Sequence, residues 1–364
     1  MSYYLSKYGN KNKRTKKPHS KGYVIIRTII LLLLVIGGVY AYKIYTTLFD
    51  LNTWSPDNKS VSLFIKKGES FDEIKKDLYS RGIIKNRKTF EWLSLKKDYA
   101  NNIKPGHYII TPDMTNNQLI NTLRAGLQTP VNVIFNNIRT LEGLSTRITS
   151  QLEFDTAAFN NKMHDSVYIN KLGFTKENIK TLFIPNTYEF YWTVSIEDFL
   201  TRMLSEYKKF WTEERISKAK MQNMTREEVI ILASIVEKET AKNDEKTKVA
   251  GVYINRLKKG WKLQADPTLI YALKDFSIHR VLNKHKKVDS PYNTYKYNGL
   301  PPGPICFPSI SSIDAVLNYK NHEYLYFCAK ADFSGYHTFG KNYWQHVKNA
   351  KEYQKALNEQ KIWN

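Results

Sequence analysis

The chain has 364 residues, a net charge of +22 and two cysteines. That length accommodates two ordinary domains with some extras, and two cysteines in so long a chain exclude a disulfide framework, so a buried core has to hold it together. The densest basic run (Lys7, Lys11, Lys13, Arg14, Lys16, Lys17 and Lys21, with no acid among them) lies next to an apolar stretch, which points to membrane lipids and away from nucleic acid.

Residues 24–42 form that apolar stretch, about the ~20 residues needed to cross a bilayer. Arg27 can snorkel to the headgroups, and Tyr23, Tyr40, Tyr42 and Tyr45 suit the interfacial belts. The run exceeds the usual core of a signal peptide, about 7–15 residues, and no clear small-x-small cleavage site follows it. Residues 1–22 therefore read as a cytoplasmic basic tail and 23–46 as an uncleaved, single-pass transmembrane helix. By the positive-inside rule everything beyond is exported. Residues 47–60 read as a polar linker.

After the linker, residues 61–65 alternate like a strand, and apolar residues at 71, 74 and 78 mark a helix. A turn and strand follow over 104–110. A helix then starts near Met114-Thr115, turns Leu119, Ile120 and Leu123 to one face, and ends near Gly126. This strand–helix–strand–helix cycle, with its Gly68-Glu69-Ser70-Phe71 segment, resembles a LysM module, a type that binds glycans containing N-acetylglucosamine; the module is set at residues 61–130. Residues 131–215 form a connecting α+β region, with a strand over 131–135, helices over 141–152 and 196–210, and Ser195 as N-cap of the second. The aromatic residues of 183–191 are dense enough to fill a core.

Residues 216–364 carry the chemistry. Thr225 and Glu228 form a capping box that opens a helix over the apolar run Ile230 to Val236, and two carboxylates, Glu237 and Glu239, arrive at its end. Residues two apart point about 200° away from each other on a helix, so only one of them can face a given cleft. Glu239 lies above Leu232, Ile235 and Val236, at spacings of seven, four and three, whereas Glu237 lies above Ala233, Ser234 and Ile230, a smaller and more polar stripe. A carboxyl against apolar surface holds its proton to higher pH, so Glu239 is the first candidate for a general acid and Glu237 the second. A second helix carries Val249, Val252, Tyr253, Asn255, Arg256 and Leu257 and stops at Gly260. Asp266 reads as an N-cap with Pro267 at N1. Tyr292-Asn293-Thr294-Tyr295 precedes a stiff loop, Gly299-Leu300-Pro301-Pro302-Gly303-Pro304, then a strand over 324–329 and His337-Thr338-Phe339. Taken singly, each has a structural reading: Asp266 as a cap, His337 as a core residue. The stretch 274–289 has no interpretable feature.

In order, Ala-Ser-Ile-Val-Glu-Lys-Glu-Thr (233–240), Asn-Arg-Leu (255–257), Leu-Gln-Ala-Asp-Pro-Thr (263–268), Tyr-Asn-Thr-Tyr, Gly-Leu-Pro-Pro-Gly-Pro-Ile and His-Thr-Phe resemble the bacterial endolytic murein transglycosylases, the YceG-like family. The resemblance implies an α+β protein: a single N-terminal transmembrane helix, a LysM-like α/β module, then a mixed α+β catalytic domain. It implies lyase cleavage of the MurNAc–GlcNAc β-1,4 bond within peptidoglycan strands, with Glu239 as acid and base and no metal or cofactor. Asn255, Arg256, Gln264, Asp266, Tyr292, Asn293, Thr294, Tyr295 and His337 are its candidate substrate-binding residues. One position departs from the pattern: Asn186 stands where the family usually has Asp, which removes a rival acid. The implied surroundings are the cell (inner) membrane, peptidoglycan strands and penicillin-binding protein synthases, with no nucleic acid. Two alternatives remain: a hydrolytic muramidase using Asp266 as second carboxylate, and a non-catalytic wall-binding or scaffold protein.

Overall fold

The apolar stretch forms α1 (Lys21–Phe49) in the computed structural model, which describes residues 21–278 and 280–360. Most of the basic tail lies outside the described residues. The side chains of α1 are exposed from Tyr23 through Lys43, an arrangement unfavourable in water and suited to lipid.

The chain divides into two units, residues 1–104 with 108–127, and residues 105–107 with 128–364. In the first, α1 runs on into a segment that is pinned in place, not slack. Asn52 donates to Asn116 Oδ1 at 2.6 Å, Asn116 donates back to the Thr47 carbonyl, and the fully buried Thr53 donates to the Thr111 carbonyl. The expected linker is thus part of the unit. There follow β1 (Val61–Ile65), α2 (Phe71–Ser80), α3 (Arg87–Lys96), β2 (Gly106–Ile110) and α4 (Asn116–Ala125). Capping boxes open α2 (Ser70 with Glu73) and α4 (Thr115 with Gln118), and Gly126 ends α4 at φ 70°, where only glycine is at ease. β1 pairs with β2 around a core that includes Ile65, Ile74, Phe90 and Leu119. α3 is one helix more than the sequence cycle anticipates.

The second unit opens with β3 (Val131–Ile134), followed by α5 (Leu141–Thr149), α6 (Thr156–His164), α7 (Ser166–Lys171) and β4 (Thr187–Phe190). β4 returns antiparallel to β3, with Val131 opposite Phe190 and Ile134 opposite Thr187. Most of the aromatic segment is core: Phe183, Tyr188 and Phe190 are buried, while Tyr191 is exposed. Helices α8 (Ile196–Phe210), α9 (Glu213–Met221), α10 (Arg226–Glu239), α11 (Asn243–Lys258), α12 (Asp266–Leu273) and α13 (Ile310–Leu317) come next. An antiparallel pair, β5 (Tyr326–Ala329) and β6 (His337–Gly340), and a last helix, α14 (Tyr343–Glu359), complete the unit.

α10 is its axis. Thr225 and Glu228 close the expected capping box, and every residue from Val229 to Val236 is buried, so the helix is apolar all round because it is covered all round. α11 and α13 pack against it. The proline-rich loop covers it too: the Ile305 N–H donates to Ser234 Oγ at 3.0 Å, and Phe307 is buried. Gly303 is required there, since a Cβ would stand 1.9 Å from the Glu177 carbonyl oxygen. Cys306 and Cys328 are free thiols.

Candidate active site

The two carboxylates at the end of α10 go separate ways. Glu237 turns to the start of α13, where Ser309 and Ser312 donate to Oε2 and Lys246 pairs with it at 3.0 Å. Burial pushes its pKa up, but these hydrogen bonds and the Lys246 charge outweigh that and hold it below the ordinary value. Its Oε2 is committed to the fold.

Glu239 turns instead into a cavity of about 320 Å³. Tyr253 and Arg256, one turn apart on α11, form one wall; Gln264, Asp266 and Tyr295 a second; Tyr326 and Phe327 of β5 with Tyr343 and His346 of α14 a third. Tyr253 donates to Glu239 Oε1 at 2.5 Å. Burial is the main influence on this carboxyl and pushes its pKa to about 7; the Asp266 charge adds to the rise, while the Tyr253 hydroxyl and the Arg256 charge oppose it. Asp266 is exposed at the rim and accepts from the Tyr295 hydroxyl at 2.5 Å. It is not the N-cap that its place before Pro267 suggests: α12 begins at Asp266 itself, and no side chain caps it. Arg256 is buried and, among the described residues, makes no ion pair with a carboxylate. Its Nε donates to the Leu325 carbonyl at 2.7 Å, another donor reaches the Leu263 carbonyl, and the guanidinium lies 5.5 Å from the Tyr326 ring centre. Burial and the Arg256 charge hold the His346 imidazole below its ordinary pKa, and its Nδ1 is buried without a hydrogen-bond partner.

A profile described as the YceG-like family matches residues 63–352. The chain belongs to the YceG-like family. A Bacillus subtilis (strain 168) relative named endolytic murein transglycosylase is 30% identical over 343 residues, which cover 90% of this chain and 93% of that protein. A relative of the same name from Streptococcus pneumoniae (serotype 2, strain D39) is 28% identical over 92% of this chain and 66% of its own length. The solved structure of a YceG-like protein from Listeria monocytogenes, 29% identical, superposes with a TM-score of 0.55 over 79% of this chain and 98% of that one.

In this YceG-like chain the cavity brings together Glu239, Arg256, Gln264, Asp266 and Tyr295 among the candidates read from sequence. The others do not line it. Asn255 donates to the carbonyls of His322 and Tyr324, and Asn293 to those of Lys286 and Val288; both brace loops. Thr294 is buried, accepts from the Ala265 N–H and bonds Thr268. Tyr292 packs against Tyr271 and has its hydroxyl beside Gly303. His337 stands one layer back. Its Nδ1 and backbone N–H both meet Glu245 at 2.7 Å, and its ring edge abuts Phe327. Glu245 also accepts from Thr240, the residue after Glu239, so this buried cluster fixes the end of α10. Asn186 is exposed and bonds the next backbone N–H. Tyr253, Tyr326, Phe327, Tyr343 and His346 escape sequence reading as site residues. The spacing of three that puts Tyr253 above Arg256, and Tyr343 above His346, was the available signal.

Proposed function

We propose that this chain is a membrane-anchored endolytic murein transglycosylase, which cleaves the MurNAc–GlcNAc β-1,4 bond within glycan strands and leaves 1,6-anhydro-MurNAc ends. The observation that carries the reading is Glu239, a carboxyl with a pKa of about 7 at the floor of a cavity walled by hydroxyls and aromatic rings. The names of the Bacillus and Streptococcus relatives support it.

Near neutral pH the Glu239 carboxyl retains its proton and delivers it to the glycosidic oxygen as the C1–O4 bond breaks. Positive charge develops at the MurNAc C1, and the Asp266 carboxylate supplies a compensating field. The C6 hydroxyl of the same sugar then attacks C1 and gives its proton to the Glu239 carboxylate, which closes the anhydro ring and regenerates the acid. No water enters the balance. An intramolecular nucleophile gains from proximity and removes the need for a second carboxylate as nucleophile. Tyr253 holds Glu239 in place and steadies its charged form between the two proton transfers. Arg256 faces the lactyl or peptide carboxylate of the substrate, and Gln264 and Tyr295 its hydroxyl and N-acetyl groups.

One observation favours a second reading: Asp266 shares the cavity with Glu239, as a hydrolytic muramidase would require. The products separate the two. α1 is the anchor, with the N-terminus cytoplasmic and the rest exported, and the neighbours are the penicillin-binding protein synthases that make the strands. We read residues 61–130 as a LysM-like module that holds the same polymer. The test is mass spectrometry of chain ends after the full-length protein acts on un-crosslinked strands, beside Glu239→Gln and Glu237→Gln. Anhydro ends that vanish with Glu239→Gln and persist with Glu237→Gln support the reading. Reducing ends favour the muramidase, and a folded wild type that cuts nothing overturns both.

A further inference from the structure

Within the first unit, the last turns of α1 and the first turns of α3 enclose a cavity of about 380 Å³. Tyr40, Lys43, Ile44 and Thr47 form one wall; from Tyr40 the spacings are three, four and seven, so a single face of α1 is turned to it. Asn86, Lys88, Thr89 and Trp92 form the other. Ligand pockets run from about 300 to 1,000 Å³, and this one is at the small end: room for a headgroup, not for the chains of a lipid.

Its depth in a membrane follows from the helix. Residues 24–42 are the apolar run, so Tyr40 stands at the edge of the hydrocarbon and Lys43 is the first residue past it. Thr47 lies seven residues beyond Tyr40, about 10 Å further along the axis. The polar layer of a bilayer is about 5–8 Å deep on each side, so the cavity opens in that layer. The α3 wall is held at the same level, because Asn116 Nδ2 donates both to the Thr47 carbonyl at 3.1 Å and to Thr89 Oγ1 at 3.0 Å. Tyr40 belongs to the cavity and also to the exposed surface of α1, where it is 62% exposed. The cavity is therefore continuous with the surface that faces lipid. A lipid reaches it without leaving the bilayer.

The chemistry of the walls decides which lipid. The Thr47 and Thr89 hydroxyls donate to the Lys43 and Asn86 carbonyls, and the Asn86 side chain accepts from the Thr89 N–H to cap α3. The cations that meet a ligand are Lys43 and Lys88, both exposed and, among the described residues, in no ion pair. Beside them lie the Ile44 side chain and the rings of Tyr40 and Trp92, which combine an apolar body with a polar tip and suit this depth. Two ammoniums next to apolar surface match a phosphate diester that carries acyl chains. A zwitterionic headgroup brings an ammonium of its own, which both lysines repel. We infer that the cavity binds the headgroup of an anionic phospholipid, with the phosphate between Lys43 and Lys88 and the acyl chains alongside α1. The site rests on α1 as the membrane anchor and is independent of the chemistry at Glu239.

The experiment is native mass spectrometry of the full-length protein in detergent micelles, titrated with short-chain phosphatidylglycerol, short-chain phosphatidylcholine or inorganic phosphate. A lysine near an anionic lipid surface contributes about fivefold in affinity. The paired variant Lys43→Gln with Lys88→Gln is therefore expected to bind phosphatidylglycerol about 25-fold more weakly than wild type, and phosphatidylcholine less than about twofold more weakly. Lys66→Gln with Lys76→Gln, two exposed lysines of the same unit that do not line the cavity, removes the same charge and should change either affinity less than about twofold. Equal affinity of wild type for the two lipids, an equal loss in the Lys66 and Lys76 pair, or competition by inorganic phosphate at the concentration of the lipid overturns the lipid site and leaves the anchor standing. A full-length chain that stays in the aqueous phase without detergent overturns the anchor and the site with it. Neither result touches Glu239, which the chain-end assay tests.

Discussion

Tyr253→Phe removes one hydroxyl and keeps the ring that packs edge-on against Phe327. That hydroxyl donates to Glu239 at 2.5 Å and favours the charged carboxylate. A hydrogen bond to a charged group is worth about 1.5–3 kcal/mol, and at about 1.4 kcal/mol per pH unit its loss moves the Glu239 pKa up by about one to two. The free enzyme must carry the proton to act as acid, so kcat/KM falls as pH rises through that pKa, which lies at about 7 in the wild type. In Tyr253→Phe the alkaline limb of the profile is expected to shift to about pH 8–9. The assay is the initial rate of anhydro-end formation by the full-length protein across about pH 5–10, at substrate well below KM. Two companions fix the sign independently. Arg256→Gln removes an opposing positive charge and shifts the limb the same way; Asp266→Asn removes a negative charge and shifts it toward acid. A Tyr253→Phe limb that stays put or moves toward acid, or an Asp266→Asn limb that moves toward alkali, refutes this account of how Glu239 is tuned.

The same carboxyl governs stability: its folded pKa is raised above 4.5 to about 7, so the stability tied to its protonated form is complete below about pH 4.5 and is lost as pH rises through about 7. Glu239→Gln should therefore be more stable than wild type at pH 8, by about 2–3 kcal/mol in chemical denaturation, with the gap closing in acid. Glu237→Gln should do the reverse, costing about 2–3 kcal/mol at neutral pH by weakening the Lys246 pair. Because the Glu237 pKa is depressed, that difference should shrink as pH falls, and anhydro-end formation should persist. Gly303→Ala drives a methyl into the Glu177 carbonyl and should cost about 1–3 kcal/mol or more, read as a lowered melting temperature. Asn116→Ala cuts the ties to Asn52 and Thr47, and hydrogen exchange at residues 47–53 should accelerate with little change in the second unit.

Much of this was legible because local rules and burial agree. The capping boxes at Ser70, Thr115 and Thr225 mark their helices from residue types alone, and Ser195 caps α8 as its spacing implies. The phase of α10 separates Glu239 from Glu237 before any coordinate is known. α3 was legible too, with Asn86 as its cap and Phe90 and Leu93 three apart, and it is as long as the α2 and α4 that the sequence reading found. What sequence cannot give is which polar side chains face the cavity. Asn255 follows Ile254 and precedes Arg256, so three successive residues of α11 point three ways, and only Arg256 reaches the site. Asp266 has the local look of a cap, and a tyrosine 29 residues further along claims it instead. On α14 the spacing of three between Tyr343 and His346 is the one signal, and it says that they share a face without saying that the face lines a cavity.

The hydrogen bonds that bind Thr47, Asn52 and Thr53 into the first unit give α1 a mechanical meaning. A tether of flexible residues would let that unit wander over a volume set by its length. Here helix and unit are joined without slack, at about 1.5 Å of rise for each residue of α1. With α1 in a bilayer, the first unit stands at a set height and turns only as the helix turns. Insertion or deletion of helical residues would change that height, and each residue also rotates the unit by about 100°.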